Sequence, residues 1–201
     1  MEKRPEDVKA AGPMEAEQEG LLRDVSQFRE RFRGKGHSWS KLRGDAFAKL
    51  VFHYLRGHLP LGFKLVTIGW VEGSGIEFDL LVVDEDAEPE RFTNIYSKSR
   101  VHLLIEVKGS GYFYKRVEVA DRLREQRKRV QTETGKPILY LLLREDETNS
   151  PSVLRGIGRN HAFILKVGER KIPGEWARFV ERANALLRGL GDSEAVRGRA
   201  R

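Results

Sequence analysis

Two strand-like runs, "GIEFDLLVVDED" and "RVHLLIEVKGSG", carry charges among their Val, Leu and Ile residues: Asp79 in the first, Glu106 and Lys108 in the second. An unpaired charge in apolar surroundings costs on the order of several kcal/mol. These groups therefore either sit solvated at strand ends or are held together for chemistry. Side chains alternate across a strand, so Glu106 and Lys108 share one face while Ile105 and Val107 take the other. If the two strands pair antiparallel, Asp79 lies beside Glu106 on that face. Two carboxylates and an ammonium then converge where the strands emerge.

Paired carboxylates repel unless a cation sits between them. Mg²⁺ (or Mn²⁺) suits such a pair, because it takes oxygen ligands, retains waters and often needs only one or two carboxylates. Such an ion polarises a phosphoryl oxygen and acidifies a bound water. The lysine can orient or help deprotonate that water, or stabilise charge in the transition state. The bland alternative is an ordinary ion pair at a sheet edge. Glu77 shares Asp79's face and reads either as a further acid near the metal or as an exposed strand-end glutamate.

Around these residues the pattern predicts an α/β domain. Residues 1 to about 19 are polar, contain Pro5 and Pro13, and read as a loosely attached tail. A short amphipathic helix follows in "EGLLRDVSQFRERF". In "SWSKLRGDAFAKLVFHYLRGHLP", residues Phe47, Leu50, Val51, Tyr54 and Leu55 recur at helical spacing, closed by Gly57 and Pro60. Then come three strands, "GFKLVTIGWV", "GIEFDLLVV" and "VHLLIEVKG". Gly73 and Gly75 link the first two as an antiparallel pair, and a charged loop precedes the third. "VEVADRLREQRKRVQTETG" reads as a helix with Val119, Leu123, Gln126 and Val130 on one stripe. "KPILYLLLRED" is a central strand apolar on both faces, "HAFILKVG" a fifth strand, and "PGEWARFVERANALLRGLG" a closing helix. A helix between the third and fourth strands permits a parallel crossover and hence a mixed sheet with helices on its faces. The organisation read from this is a tail and short helix (1–36), one domain (37–190) and a basic tail (191–201).

Asp79 followed by Glu106-Val107-Lys108 resembles the D…(D/E)xK signature of the PD-(D/E)xK nuclease superfamily, the group of restriction endonucleases and archaeal Holliday-junction resolvases. The element order is similar to its αβββαβ restriction-endonuclease-like core, over roughly Leu42 to Leu143. "GSGIEFDLLVV" and "LLIEVKGSG" look like the resolvases' second and third strands. The resemblance implies Mg²⁺ held by Asp79, Glu106 and the carbonyl of Val107, with Lys108 catalytic and DNA as substrate. Phe78 replaces the name-giving proline, and the span from Asp79 to Glu106 is long, filled by the charged loop. Many members also carry a first-helix glutamate, where this chain has Ala48. At about 100° per residue, Ala48 lies at the edge of the apolar stripe and Asp45 nearly opposite the core. Asp45, the nearest acid, reads either as a substitute for that glutamate or, more plainly, as a helix cap or a solvated charge.

The 201 residues suit one domain, and 37 Lys+Arg against 30 Asp+Glu, a net charge of +7, favour a polyanionic partner. With no cysteine and five scattered histidines, disulfides and Cys- or His-based zinc sites drop out. No apolar run approaches the roughly 18 residues of a membrane span, and the N-terminus lacks a signal-peptide core, so a soluble, cytoplasmic protein is expected. One-third charged residues without cysteine fits a heat-adapted source. The densest basic stretch, "KRVEVADRLREQRKRV", offers Lys115, Arg116, Arg122 and Lys128 for a DNA backbone. Equally, its acids can pair with its bases along a solvated helix. "GSGYFY" after Lys108 can stack on an unpaired base or cap the sheet. Cleavage of branched DNA would call for a two-fold homodimer. Two other classes stay open: a nuclease-fold DNA-binding protein that does not cut, and a structural or partner-binding α/β domain.

Overall fold

The computed structural model describes residues 12–31, 38–108, 117–144, 157–166 and 174–189. In chain order the elements are α1 (Pro13–Arg31), α2 (Ser38–Leu55), β1 (Phe63–Val71), β2 (Glu77–Asp84), β3 (Ile95–Tyr96), β4 (Val101–Lys108), α3 (Val117–Thr134), β5 (Ile138–Arg144), β6 (Ala162–Lys166) and α4 (Glu175–Leu187). The strands form one six-stranded sheet in the order β3-β1-β2-β4-β5-β6. β1 and β2 pair antiparallel, as do β2 and β4, whereas β4–β5 and β5–β6 are parallel. The mixed α/β sheet expected from the sequence is the sheet observed.

Alternation along the strands divides the core. Leu80 and Val82 of β2, with Leu103, Ile105 and Val107 of β4, face α1, α2 and α4 through Leu21, Val25, Phe47, Val51, Leu55, Trp176 and Phe179. Leu81, Val83 and Leu104 point the other way, where Leu123 and Val130 of α3 pack on Tyr140 and Leu142. β5 lies between β4 and β6, and its Ile138–Leu143 run is almost completely buried. That is why its sequence is apolar at every position rather than at alternate ones.

Two elements differ from expectation. α1 starts at Pro13 and not near residue 19. A proline is well suited to the first helical position, where its missing N–H is not needed. The polar residues of this first stretch are used in docking: Gln18 Oε1 accepts the Trp176 backbone N–H at 2.9 Å, and Glu17 Oε2 accepts its indole N–H at 3.1 Å. Inside the charged loop, Ile95 and Tyr96 form β3 and extend the sheet along the edge of β1. Two strand residues among polar ones are too few for alternation to register. Among the described residues, no helix is long and apolar enough to cross a membrane.

Candidate active site

Asp79 and Glu106 owe their placement to register. Leu80 pairs with Ile105 and Leu81 with Leu104, so the next step of the antiparallel ladder sets Asp79 opposite Glu106 on the α3 side of the sheet. Asp79 Oδ2 accepts the Val107 backbone N–H at 2.7 Å. Lys108, two residues beyond Glu106, returns to the same face: its Nζ donates to Glu106 Oε2 and lies 3.8 Å from Asp79 Oδ2. The sequence-predicted trio is therefore one cluster.

β1 has an irregularity beside it. Thr67 pairs with Leu80 and Gly69 with Phe78, which leaves Ile68 opposite Asp79, and Ile68 has φ of 52°. A β-branched residue in the left-handed region is an outlier, and such conformations gather at functional sites.

Glu106 is 3% exposed, whereas Asp79 and Lys108 keep roughly a third of their side-chain surface open to solvent. Burial pushes the Glu106 carboxyl up to about 7; Asp79 adds to the rise and the Lys108 ammonium opposes it. For Lys108, burial acts to lower the pKa, but the two carboxylates outweigh it and hold the group above its ordinary value. Two carboxylates thus face one ammonium in a site closed on the Glu106 side and open at Asp79.

That donor set fits a hard divalent cation: its acids are oxygen donors, and one positive charge does not balance two negative ones. Among the described residues, no group of three or more His, Cys, Asp or Glu side chains gathers in a way that could hold a metal. Backbone and water oxygens would have to complete the shell, as is usual for Mg²⁺.

α3 supplies a neighbour that the sequence presented only as part of a helical stripe. Gln126 Nε2 donates to Glu106 Oε1 at 3.4 Å. An amide between Leu123 and Val130 on a sheet-facing stripe was the available signal, since a buried amide needs a polar partner. Tyr140, in register with Glu106 on β5, donates its hydroxyl to the Leu123 carbonyl at 3.1 Å, and burial together with the Glu106 charge raises its pKa.

The remaining candidates are dispersed. α2 packs on the opposite face of the sheet, with Ala48 2% exposed and Asp45 about two turns inside the helix, which removes a capping role for Asp45. Glu77 is exposed at the first position of β2. Arg122 and Lys128 are exposed on α3, while Lys115, Arg116 and the "GSGYFY" segment lie outside the described residues. Ion pairing along α3 is real: Arg124 meets Asp121 at 2.8 Å and Arg129 meets Glu133 at 2.7 Å.

No family model and no curated protein matches the chain. Solved structures do. NucC of E. coli MS115-1 in its cAAA-bound form superposes with a TM-score of 0.57 at 17% identity, over 92% of this chain and 94% of that one. The apo form of the same protein gives 0.51 at 16% identity, over 87% and 91%. NucC of P. aeruginosa ATCC27853, cAAA-bound, gives 0.52 at 18% identity, over 71% and 68%. At such identities the likeness concerns the backbone, and with the sheet described above it makes this a restriction-endonuclease-like α/β fold.

Proposed function

We propose that this chain is a metal-dependent deoxyribonuclease whose catalytic centre is Asp79, Glu106 and Lys108. The observation that carries the reading is their convergence: opposed carboxylates on neighbouring strands, with one ammonium in reach of both. Asp79 and Glu106 would hold Mg²⁺ or Mn²⁺, with the carbonyl of Val107, whose amide Asp79 already engages, as a further oxygen. The ion supplies Lewis-acid polarisation of a phosphodiester and a more acidic water. Lys108 orients the water that adds to phosphorus or stabilises the charge that builds there as the P–O bond to the leaving strand breaks. Gln126 holds the Glu106 carboxylate in orientation. Lys115, Arg116, Arg122 and Lys128 would track the backbone phosphates. DNA as the substrate rests on the resemblance of Asp79…Glu106-Val107-Lys108 to its superfamily and on the nuclease-type fold.

One observation favours a second reading, a nuclease-fold protein that binds DNA without cutting it: α2 brings no acid to the site, and Ala48 is buried. Purified protein incubated with plasmid, single-stranded and branched DNA, with and without Mg²⁺ or Mn²⁺, separates the two. Cutting that needs the ion and is lost in Asp79→Ala supports the nuclease. Retention without cutting in the wild type moves the reading to the second.

A further inference from the structure

α3 carries a second polar stripe beside the residue that reaches Glu106. Arg124, Arg127, Lys128 and Gln131 recur at i, i+3, i+4 and i+7, which places them along one side of the helix. They form one wall of a cavity of about 700 Å³. Arg182 and Leu186 of α4 and His161, just before β6, close it from other directions, and Pro137 and Ile138 contribute the entry to β5. Four cations and a histidine meet there, and no Asp or Glu is among the described lining residues, although Asp121, one turn back on α3, already pairs with Arg124 at 2.8 Å and a phosphate would have to compete with it. Local carbonyls aim two of the guanidiniums: Arg127 Nη1 donates to Ile157 O at 3.1 Å, and Arg182 Nε to Asn160 O at 3.3 Å. Arg182 is only 6% exposed.

The cavity is distinct from the carboxylate centre. Ile138 stands opposite Leu104, whereas Glu106 stands opposite Tyr140 and Lys108 opposite Leu142, so the carboxylate centre lies further along the β4–β5 pair. At about 3.3 Å per residue the offset along the strands is on the order of 7 Å for Glu106 and 13 Å for Lys108.

Guanidinium groups bind phosphate through paired N–H donors, and a lysine adds a point charge. Phosphate alone would leave the apolar surface of Pro137 and Leu186, both partly exposed, without a partner. A volume of about 700 Å³ is within the usual range for a small organic ligand. Gln131 and Thr132 are also among the lining residues, and an amide and a hydroxyl can hydrogen-bond a heteroaromatic edge. We propose that this cavity is a binding site for a free nucleotide, with its phosphates on the cations of α3 and α4 and its base against the apolar wall. On this proposal Lys128 leaves the set named above for the DNA backbone and serves this ligand instead.

The test uses the full chain in EDTA, so that no metal at the carboxylates takes part. ATP, tripolyphosphate and a short single-stranded oligonucleotide are titrated by calorimetry. ATP is expected to bind, and more tightly than tripolyphosphate. Arg124→Glu with Lys128→Glu should weaken ATP by about tenfold or more, the loss of one good ionic contact or more. Lys128→Ala, a milder change at an exposed helix position, should weaken it by a smaller factor with an unchanged melting curve. Asp79→Ala should bind ATP as the wild type does. Absence of ATP binding at millimolar concentration overturns the site, as does ATP affinity indifferent to both basic-residue variants. Equal affinity for ATP and tripolyphosphate overturns the place given to the base. Binding of the oligonucleotide without binding of ATP returns these cations to a DNA track.

Discussion

Helix α3 borders two regions of opposite character. Gln126 reaches Glu106 in a cluster with two carboxylates and one ammonium, while its neighbour Arg127 turns to a cavity with four cations and no acid among the described lining residues. The first is built from strands, where backbone pairing fixes which side chains oppose each other. The second comes from two helices and the segments leading into β5 and β6, brought together only by tertiary packing. One region has a single ammonium for two carboxylates, and the other has no carboxylate among its described lining residues. A metal ion would complete the first and a phosphate-bearing ligand the second.

The sharpest way to break this contrast is to remove a charge from the carboxylate centre. Asp79→Ala and Lys108→Ala are each expected to lower metal-dependent cleavage on the order of 10³-fold, the scale for loss of a group acting on transition-state charge. Glu106→Gln should do the same to activity while leaving the metal-free fold as stable at pH 8, or more so, because it removes a buried carboxylate. Cleavage within a few-fold of wild type in all three would remove the catalytic role of the cluster.

Protonation offers the next largest effect. The folded Glu106 carboxyl is raised to about 7 from an unfolded value near 4.5. Between those values the folded chain binds more protons than the unfolded one, so this group's contribution to stability is present below about 4.5 and is lost as pH rises through 7. Mn²⁺ or Mg²⁺ should therefore raise the melting temperature more at pH 8 than at pH 5. The comparison is read against Glu106→Gln, in which the pH-dependent part should vanish. Identical metal shifts at both pH values in wild type and variant would show that the ion sits elsewhere.

Gln126→Ala is a smaller perturbation. Outer partners of metal ligands are typically worth 10–100-fold in affinity or activity, and a contact as long as 3.4 Å belongs at the low end, about tenfold. A positioning role predicts that the loss appears as a higher Mg²⁺ requirement and is partly recovered at high metal concentration. A loss of activity with unchanged metal dependence would contradict it.

The difference between the regions also accounts for what the sequence could disclose. Asp79, Glu106 and Lys108 were legible because period-two alternation assigns faces, and the Gly73–Gly75 link implied antiparallel pairing ahead of the third strand. Apolar continuity placed β5 at the centre, and the helix before it implied the parallel crossover. β3 was not legible, since Ile95 and Tyr96 give no period within a charged loop. Nor was the early start of α1, whose Glu17 and Gln18 acquire their role only when Trp176 arrives from the other end of the chain. The cavity was hidden for the same reason. In the sequence Lys128 offered itself for a DNA backbone or as one charge of a solvated helix, and nothing there set His161, Arg182 and Leu186 around it.

The smallest expected effect concerns the rest of the α3 surface and sharpens which of its charges are available to DNA. Arg122 and Arg129 are both exposed, but the Arg129 guanidinium meets Glu133 at 2.7 Å in an i,i+4 pair. A phosphate approaching Arg129 has to displace that carboxylate, whereas Arg122 is the residue proposed to face the backbone. Each phosphate contact releases condensed counterions and contributes about 0.9 to the slope of log affinity against log salt for duplex DNA. Arg122→Ala should therefore weaken retention a few-fold across sequences and lower that slope by about one. Arg129→Ala should leave the slope unchanged and shift stability by less than about 0.5 kcal/mol. Equal slopes for the two variants would mean that DNA does not distinguish these charges, and the backbone track would then have to run along a different face from α3.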